Sequence, residues 1–342
     1  MKKEIYAKVS KDFFKKHKAY SVCSFIYFLF AGWWFGGFAI FAKFDTERMD
    51  FVGGEVSDAF MFLGIWLGLW LVHFLSVELA TSRVGEKLMR LFNGIRRLET
   101  AEEKEYLQPI FNEVYAKAKE SDPELADFNI GIYVIDSMTV NACAVGLRTV
   151  AVTKGAIQAF SAEQLKGVIA HEVAHILNAD TFAKIKILIG NGIFTFCIMI
   201  AKVIWWLIGR IPAFRNPMNT VQMIFDALIF AFLFPMMIVM AISDRKAERR
   251  ADSYAVDIGY GEDLVEALYV LEKISLKGIE GMIAKLLSTH PRVTSRIEAL
   301  EVQLGIQEIE MRCISCDKRH TKKVNFCSEC GSHSLQKIIK VK

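Results

Sequence analysis

Two histidines and a glutamate stand close together in the middle of the chain, in the order His171-Glu172-Val173-Ala174-His175. On a helix, residues four apart lie on the same face, so both imidazoles can reach a single metal ion. Glu172 adjoins the first histidine and points at the attacking water, whose proton it accepts as the water adds to a carbonyl. The pattern predicts the catalytic motif of a zinc-dependent peptidase; the alternative is a chance match on a surface helix.

A catalytic zinc ion of this kind needs a third protein ligand and keeps one position open for water. The best candidate is Glu248, which Asp252 follows one helical turn later. Glu248 is expected to bind the metal, while Asp252 accepts a hydrogen bond from the far nitrogen of a ligand histidine and fixes its tautomer. Taken alone, Glu248 is explained better as one more charge on a basic, solvated juxtamembrane helix that anchors to anionic lipid. Its occurrence together with the histidine motif favours the ligand.

Four of the seven cysteines form two Cys-x-x-Cys pairs near the C-terminus, at Cys313, Cys316, Cys327 and Cys330. Such pairs close a tetrahedral thiolate site without an open position, which predicts a structural zinc ion in a small zinc ribbon. A segment this short has little core, so metal binding would supply most of its folding free energy. The basic residues between the pairs are explained best as a solvated rim, although they could contact nucleic acid or anionic lipid.

The elements around the histidine motif are predicted from helix caps and strand-like runs. Thr100 and Ser161 each begin a capping box, and the second starts the helix that carries the motif. Two β-type segments lie between these helices, at 128–135 and 140–153, and the second is broken at Gly146. This order predicts a mixed α+β domain that is mainly helical.

The chain is apolar for its length, since 53% of its 342 residues are hydrophobic and 26 are phenylalanine. Four apolar runs are predicted to cross a membrane as helices, at about residues 20–42, 59–77, 185–208 and 221–242. Basic residues collect after the second and fourth runs, which predicts cytoplasmic termini and a cytoplasmic active site in a multi-pass protein of the cell membrane. The net charge of +4 gives no indication of nucleic-acid binding.

The expected fold class is thus α+β, mainly α, with about four transmembrane helices, a cytoplasmic zincin-like catalytic domain and a C-terminal zinc ribbon. The predicted parts are a basic N-terminus (1–18), two transmembrane helices with a short external loop (19–80), a metallopeptidase domain interrupted by two spans (81–310) and the ribbon (311–342).

Several motifs together resemble the HtpX membrane heat-shock endopeptidases, which are relatives of the CAAX prenyl endopeptidases. They are the histidine motif, Glu248 with Asp252, the segment 140–146, Ser288-Thr289-His290-Pro291 and the segment 296–300. The resemblance implies that His171, His175 and Glu248 bind zinc, that Glu172 is the general base, and that the protein acts in quality control of membrane proteins. HtpX-type proteins generally lack the cysteine-rich tail.

The resemblance also implies roles for two further residues. Asn141 would lie on an edge strand beside the cleft, where free backbone groups take an extended substrate as an added strand. His290 would lie near the developing oxyanion and donate a hydrogen bond to it. An ordinary strand start at Asn141 and a capping histidine before Pro291 are the alternatives.

The resulting hypothesis is a membrane-integrated zinc endopeptidase that cleaves membrane or membrane-associated proteins on the cytoplasmic side. Its expected cofactors are one catalytic and one structural zinc ion. Its expected partners are the lipid bilayer, protein substrates and an unknown partner of the ribbon, with no nucleic acid. The alternative from another class is a non-catalytic, membrane-anchored adaptor whose ribbon binds a partner.

Overall fold

The computed structural model describes residues 17–18, 21–23, 25–26, 44–45, 50–51, 55–122, 129–208, 210, 215–274, 292–320 and 326–341. Helices form most of this part. In chain order they are α1 (Glu55–Thr81), α2 (Arg83–Phe92), α3 (Ala101–Ser121), α4 (Lys154–Ala159), α5 (Ala162–Leu177), α6 (Asp180–Ile208), α7 (Arg215–Asp257), α8 (Gly261–Ile274) and α9 (Val293–Gln303). The strands are β1 (Phe44–Asp45), β2 (Asp50–Phe51), β3 (Ile95–Arg96), β4 (Gly131–Ile135), β5 (Ala142–Val145), β6 (Thr149–Thr153), β7 (Gln307–Cys313), β8 (Arg319–His320) and β9 (Leu335–Val341).

Both predicted capping boxes are present and set the starts of α3 and α5. Thr100 and Glu103 exchange side-chain and backbone hydrogen bonds at the start of α3. Ser161 and Gln164 do the same at the start of α5. These reciprocal bonds satisfy amide groups that the first turn of a helix leaves without partners.

A four-stranded mixed sheet lies beside these helices, with the strand order β3-β4-β6-β5. β4 and β6 are parallel, while β3 and β5 pair antiparallel with their neighbours. Gly146 separates β5 from β6 with a φ of +67°, and a Cβ there would lie 2.8 Å from Cγ of Glu86. Because β5 is the last strand in the order, one edge of its backbone faces out of the sheet.

The helix α5 is the centre of the packing, in contact with α3, α7, α8 and β5. Its apolar face is buried, since Leu165, Ile169, Val173 and Ile176 each have 0% exposure. Gly167 allows the close approach of α8, because a Cβ there would lie 2.4 Å from a backbone nitrogen of that helix. The histidine motif is therefore held by a helix that is fixed on several sides.

The prediction of four transmembrane helices is wrong. α1, α6 and α7 contain the runs predicted at 59–77, 185–208 and 221–242, and most of the run at 20–42 lies outside the described residues. A helix needs about 20 consecutive, mostly apolar residues to cross a membrane. Within the described part of the chain, no helix combines the length and the apolar character that this requires. Lys202 and Asp226, in two of the predicted runs, form an ion pair of 2.6 Å.

The C-terminal residues form a small antiparallel sheet with the order β8-β7-β9. β7 is its central strand and pairs with β9 from Gln307 to Cys313. The strand also contacts α9, so the sheet follows directly on the helical part.

Candidate metal centre

Three side chains from two helices meet beneath the sheet, and we call them the histidine cluster: His171 and His175 of α5 and Glu248 of α7. One potential ligand atom from each lies within 4.8 Å of the other two. All three residues are buried, with exposures of 5%, 6% and 3%. The structure thus brings together the predicted ligands from two distant segments of the chain.

The spacing of these atoms suits one zinc ion. The two Nε2 atoms are 3.2 Å apart, and Glu248 oxygens lie 3.5 Å from Nε2 of His171 and 3.6 Å from Nε2 of His175. Zinc binds imidazole at about 2.0–2.1 Å, so tetrahedral donors stand roughly 3.4 Å apart. Three donors arranged in this way leave a fourth position for water or substrate.

Each histidine donates the N–H of its other ring nitrogen, Nδ1, to a carboxylate. Nδ1 of His171 lies 3.0 Å from Oδ1 of Asp252, and Nδ1 of His175 lies 2.9 Å from Oδ2 of Asp180. These bonds place the ring protons on Nδ1 and turn both Nε2 atoms toward the centre. Asp252 is the predicted partner, whereas Asp180, the first residue of α6, was not predicted.

Two arginines hold these carboxylates in turn. Arg296 of α9 donates two hydrogen bonds to Asp252, at 2.6 and 2.9 Å, and its Nη1 lies 3.4 Å from Glu248. Arg250 donates to Oδ1 of Asp180 at 2.9 Å. Neither arginine was predicted as a site residue, because neither has a diagnostic spacing from the histidine motif, although Arg296 begins the segment 296–300 that contributes to the family resemblance.

The charges around the histidine cluster favour a cation at its centre. Burial and the charge of Arg296 lower the pKa of His171, but hydrogen bonds with Asp252 and Glu248 outweigh them and raise it to about 9. Burial raises the pKa of Asp252, but its contacts with His171 and Arg296 hold it below the usual value. Asp252 therefore stays ionised and accepts the hydrogen bond from the imidazole.

A cavity of about 560 Å³ opens beside the histidine cluster. Glu172 is half-buried and lines this cavity, together with the whole of β5. Glu172 does not belong to the set of ligand atoms, so it is available to act on a water molecule. Burial and the charge of Glu172 raise the pKa of the Cys143 thiol in the same wall to about 11. The thiol is therefore neutral at physiological pH and a poor nucleophile.

Asn141 directly precedes β5 and lines the cavity in an exposed position. Its Oδ1 accepts the backbone N–H of Ala142 at 3.0 Å, and its own N–H donates to Oγ1 of Thr153 at 3.0 Å. The residue thus fixes the start of the edge strand, and its contact with substrate stays a prediction. His290 lies outside the described residues, and its role also stays a prediction.

The four C-terminal cysteines form a second group, which we call the thiolate cluster: Cys313, Cys316, Cys327 and Cys330. Their sulfur atoms lie within 4.8 Å of one another, and two of the pairs are separated by 3.5 Å. Zinc binds thiolate at about 2.3 Å, which places tetrahedral sulfurs roughly 3.8 Å apart. The spacing suits a single zinc ion with four protein ligands.

The two halves of the thiolate cluster are the same turn built twice. In each half, the residue after the second cysteine donates its N–H to the carbonyl of the first, Asp317 to Cys313 and Gly331 to Cys327, both at 2.9 Å. Asp317 and Gly331 both have a positive φ, 64° and 68°. Backbone N–H groups, chiefly that of Cys330, lower the pKa of Cys327 to about 6. This favours the thiolate that binds metal.

The sequence profile of Peptidase family M48 matches residues 101–303, which is more than half of the chain. The matched region begins with the first residue of α3 and ends with the last residue of α9. It therefore contains the whole histidine cluster and both aspartates behind it, and it excludes the thiolate cluster.

Similar proteins carry the name protease HtpX. Protease HtpX of Cellvibrio japonicus is 29% identical over 271 residues, which are 72% of this chain and 86% of that protein. The protease HtpX homolog of Nitrosomonas eutropha is 31% identical over 192 residues, which are 50% of this chain and 64% of that protein. The homolog of Bacillus licheniformis is 29% identical over 192 residues, which are 51% of this chain and 63% of that protein. The chain spans less than two thirds of the length of the last two.

Among solved structures, the chain is similar to Ste24p of S. mikatae, with a TM-score of 0.46 and 20% identity, over 82% of this chain and 66% of that chain. The HtpX-type resemblance that the motifs predict is confirmed by the family profile and the named relatives, and the chain belongs to Peptidase family M48.

Proposed function

We propose that the protein is a zinc-dependent endopeptidase that cleaves polypeptides bound in extended form along β5. The observation that carries this proposal is the cavity of about 560 Å³ in which the histidine cluster, Glu172 and β5 meet. Membership of Peptidase family M48 supports zinc as the metal and peptide hydrolysis as the reaction.

The residues in and behind the cavity have different roles in the proposed reaction. When bound by the histidine cluster, zinc supplies a Lewis acid and lowers the pKa of water toward neutrality. Glu172 accepts the proton of the attacking water and then delivers it to the leaving amine, so that the peptide bond breaks into a carboxylate and an amine. Asp252 and Asp180 keep the two imidazoles oriented while this happens.

The outer edge of β5, which pairs with no other strand in the described part of the chain, explains how a substrate would be aligned. Unpaired N–H and C=O groups of an edge strand accept an extended peptide as an additional strand, which gives affinity without requiring particular side chains. β5 lines the same cavity as the histidine cluster, so a peptide paired with it passes the metal ligands. This favours unfolded or loosely folded polypeptides as substrates.

A second zinc ion belongs to the proposal, bound by the thiolate cluster in a structural role. The sulfur distances and the duplicated turns support the binding of this ion. Four thiolate ligands leave no position for substrate, which supports a structural role. Membrane or membrane-associated substrates, a cytoplasmic site and a role in protein quality control are proposed from the HtpX-type resemblance. The partner of the C-terminal module stays open.

The test compares Glu172→Gln with Glu163→Gln, an exposed glutamate on the same helix, in the full-length protein. Cleavage of a reduced, carboxymethylated protein by Glu172→Gln should fall by about a thousandfold, the usual size of a lost general base. Its zinc content should equal that of the wild type, and Glu163→Gln should cleave normally. Persistent cleavage by Glu172→Gln contradicts the mechanism. A zinc-loaded wild type that cleaves nothing supports the adaptor instead.

A further inference from the structure

The N-terminal segment of the chain reaches the outer side of the histidine cluster through His17. This residue has 0% exposure. Its Nε2 lies 2.8 Å from the carbonyl oxygen of Asn178, the C-cap of α5, and 3.4 Å from Oδ1 of Asp180, which begins α6. A residue 161 positions away in the chain thus contacts the turn between the two helices.

Both groups that face Nε2 of His17 are acceptors, a carbonyl and a carboxylate. The nitrogen must therefore carry a proton and donate it to one or share it between both. The turn that it bridges contains Ala179 with a φ of 59°, a left-handed conformation that a residue with a side chain adopts at a cost. A buried donor that links the two ends of this turn stabilises that conformation.

The contact also determines the direction of the Asp180 carboxylate. Its Oδ2 accepts the hydrogen bond from Nδ1 of His175 at 2.9 Å. Its Oδ1 faces two donors, Nη2 of Arg250 at 2.9 Å and Nε2 of His17 at 3.4 Å. The donors come from α5, from α7 and from the N-terminal segment, so the carboxylate is held from three sides.

We propose that His17 is a positioning residue for the histidine cluster. Through Asp180 it fixes the ring of His175, and it thereby makes the N-terminal segment part of the outer shell of the metal site. This inference rests on the proposed binding of metal at the histidine cluster. Groups behind a ligand histidine usually change metal affinity by about 10- to 100-fold when they are lost.

The experiment compares His17→Gln with His17→Asn in the full-length protein loaded with cobalt(II). The amide nitrogen of glutamine occupies about the place of Nε2 and keeps the donor, whereas that of asparagine corresponds to Nδ1 and cannot reach either acceptor. Both replacements bury one polar amide at this site, and asparagine is shorter by one methylene. Lys18→Gln, at the exposed next residue, is the control.

The measurements are the d–d spectrum of the cobalt ion at the histidine cluster and its release rate to a chelator. Cobalt in the thiolate cluster is recognised separately by its sulfur-to-metal charge-transfer band. His17→Asn should alter the d–d spectrum and release this cobalt about tenfold faster, while His17→Gln and Lys18→Gln should match the wild type. The thiolate-bound cobalt should be unaffected in every variant.

Equal behaviour of His17→Asn and His17→Gln, whether both match the wild type or both release cobalt rapidly, overturns the inference, because the N–H donor then has no effect of its own. If the wild type binds no cobalt at the histidine cluster, the proposed function fails as well. The two failures are distinguishable, since the first leaves the wild-type d–d spectrum intact.

Discussion

The histidine cluster takes its ligands from two long helices, whereas the thiolate cluster takes all of its ligands from two short turns. Every ligand residue of the histidine cluster is buried, with exposures between 3% and 6%, and the cluster adjoins a cavity of about 560 Å³. In the second, Cys313 and Cys327 are buried, but Cys316 and Cys330 are exposed. The histidine cluster thus has covered ligands beside an open volume, whereas the thiolate cluster has two exposed ligands.

The two clusters also differ in the groups that prepare their ligands. Carboxylates of Asp252 and Asp180 orient the imidazoles, and arginines from other helices hold those carboxylates. The thiolates instead receive backbone N–H groups of their own turns, as at Cys327. Two local turns supply every ligand of the thiolate cluster, whereas the histidine cluster requires contacts across most of residues 101–303. Substitutions at one cluster should accordingly leave metal binding at the other unchanged.

The largest effect that separates the clusters is expected from Cys316→Ser. The loss of one thiolate of four should remove roughly a quarter of the binding free energy of a structural zinc site, about 3 kcal/mol or a hundredfold in affinity. Zinc measured after dialysis against a chelator should fall from two ions per chain to one, and the remaining ion should still support proteolysis. Ser315→Ala, in the same turn, should retain both ions. Loss of both ions from Cys316→Ser would show that the clusters are not independent.

A smaller effect is expected from Asp252→Asn, which weakens the acceptor behind His171 and leaves the ligands in place. Zinc affinity at the histidine cluster should fall by about 10- to 50-fold, because the imidazole loses its oriented, anionic partner. The change is measured by competition with a chromophoric chelator, and the thiolate cluster should keep its zinc. Asp257→Asn, an exposed position on the same helix, is the matched control. Unchanged affinity in Asp252→Asn would contradict the role given to the carboxylates.

Local signals in the sequence explain why much of the site could be predicted. The capping box at Ser161 fixes the start of α5, and the four-residue spacing then determines that His171 and His175 share a face. Glu248 and Asp252 share a face of α7 for the same reason, so both could be assigned before their distance from α5 was known. The shared face of each pair depends only on the period of a helix, whereas the choice of Glu248 as a ligand also depends on its occurrence together with the histidine motif.

Contacts between distant segments explain what the sequence did not reveal. Arg296 reaches the histidine cluster from α9, and His17 reaches Asp180 from the N-terminal segment. Asp180 lies only five residues after His175, but it begins the next helix, and none of the three has a spacing to the motif that marks it. The prediction of membrane spans failed for another reason: it treated apolar runs as spans, whereas the described helices do not meet the requirement for crossing a membrane.

The smallest expected effect concerns acid stability, and it contrasts the salt bridges of the two regions. Arg96 joins Glu103 at 2.6 Å and Asp136 at 2.7 Å beside the sheet. Its hydrogen bond lowers the pKa of Glu103 from 4.5 to about 2. Lys318 and Glu329 of the C-terminal module also pair at 2.9 Å, but their side chains are 49% and 59% exposed. A pair as exposed as this one adds little stability.

Because the pKa of Glu103 is lower in the folded state, its contribution is complete above pH 4.5 and is lost as the pH falls toward 2. Glu103→Gln should therefore destabilise the protein by about 1 kcal/mol at pH 6, because it removes the charge pair with Arg96 while glutamine can still complete the capping box, as Gln164 does at α5. The difference from the wild type in urea denaturation should shrink steadily below pH 4.5. Glu329→Gln should leave the midpoint of urea denaturation unchanged at both pH 6 and pH 3. A difference for Glu103→Gln that persists undiminished at pH 3 would assign the effect to the neutral cap and not to the charge pair with Arg96.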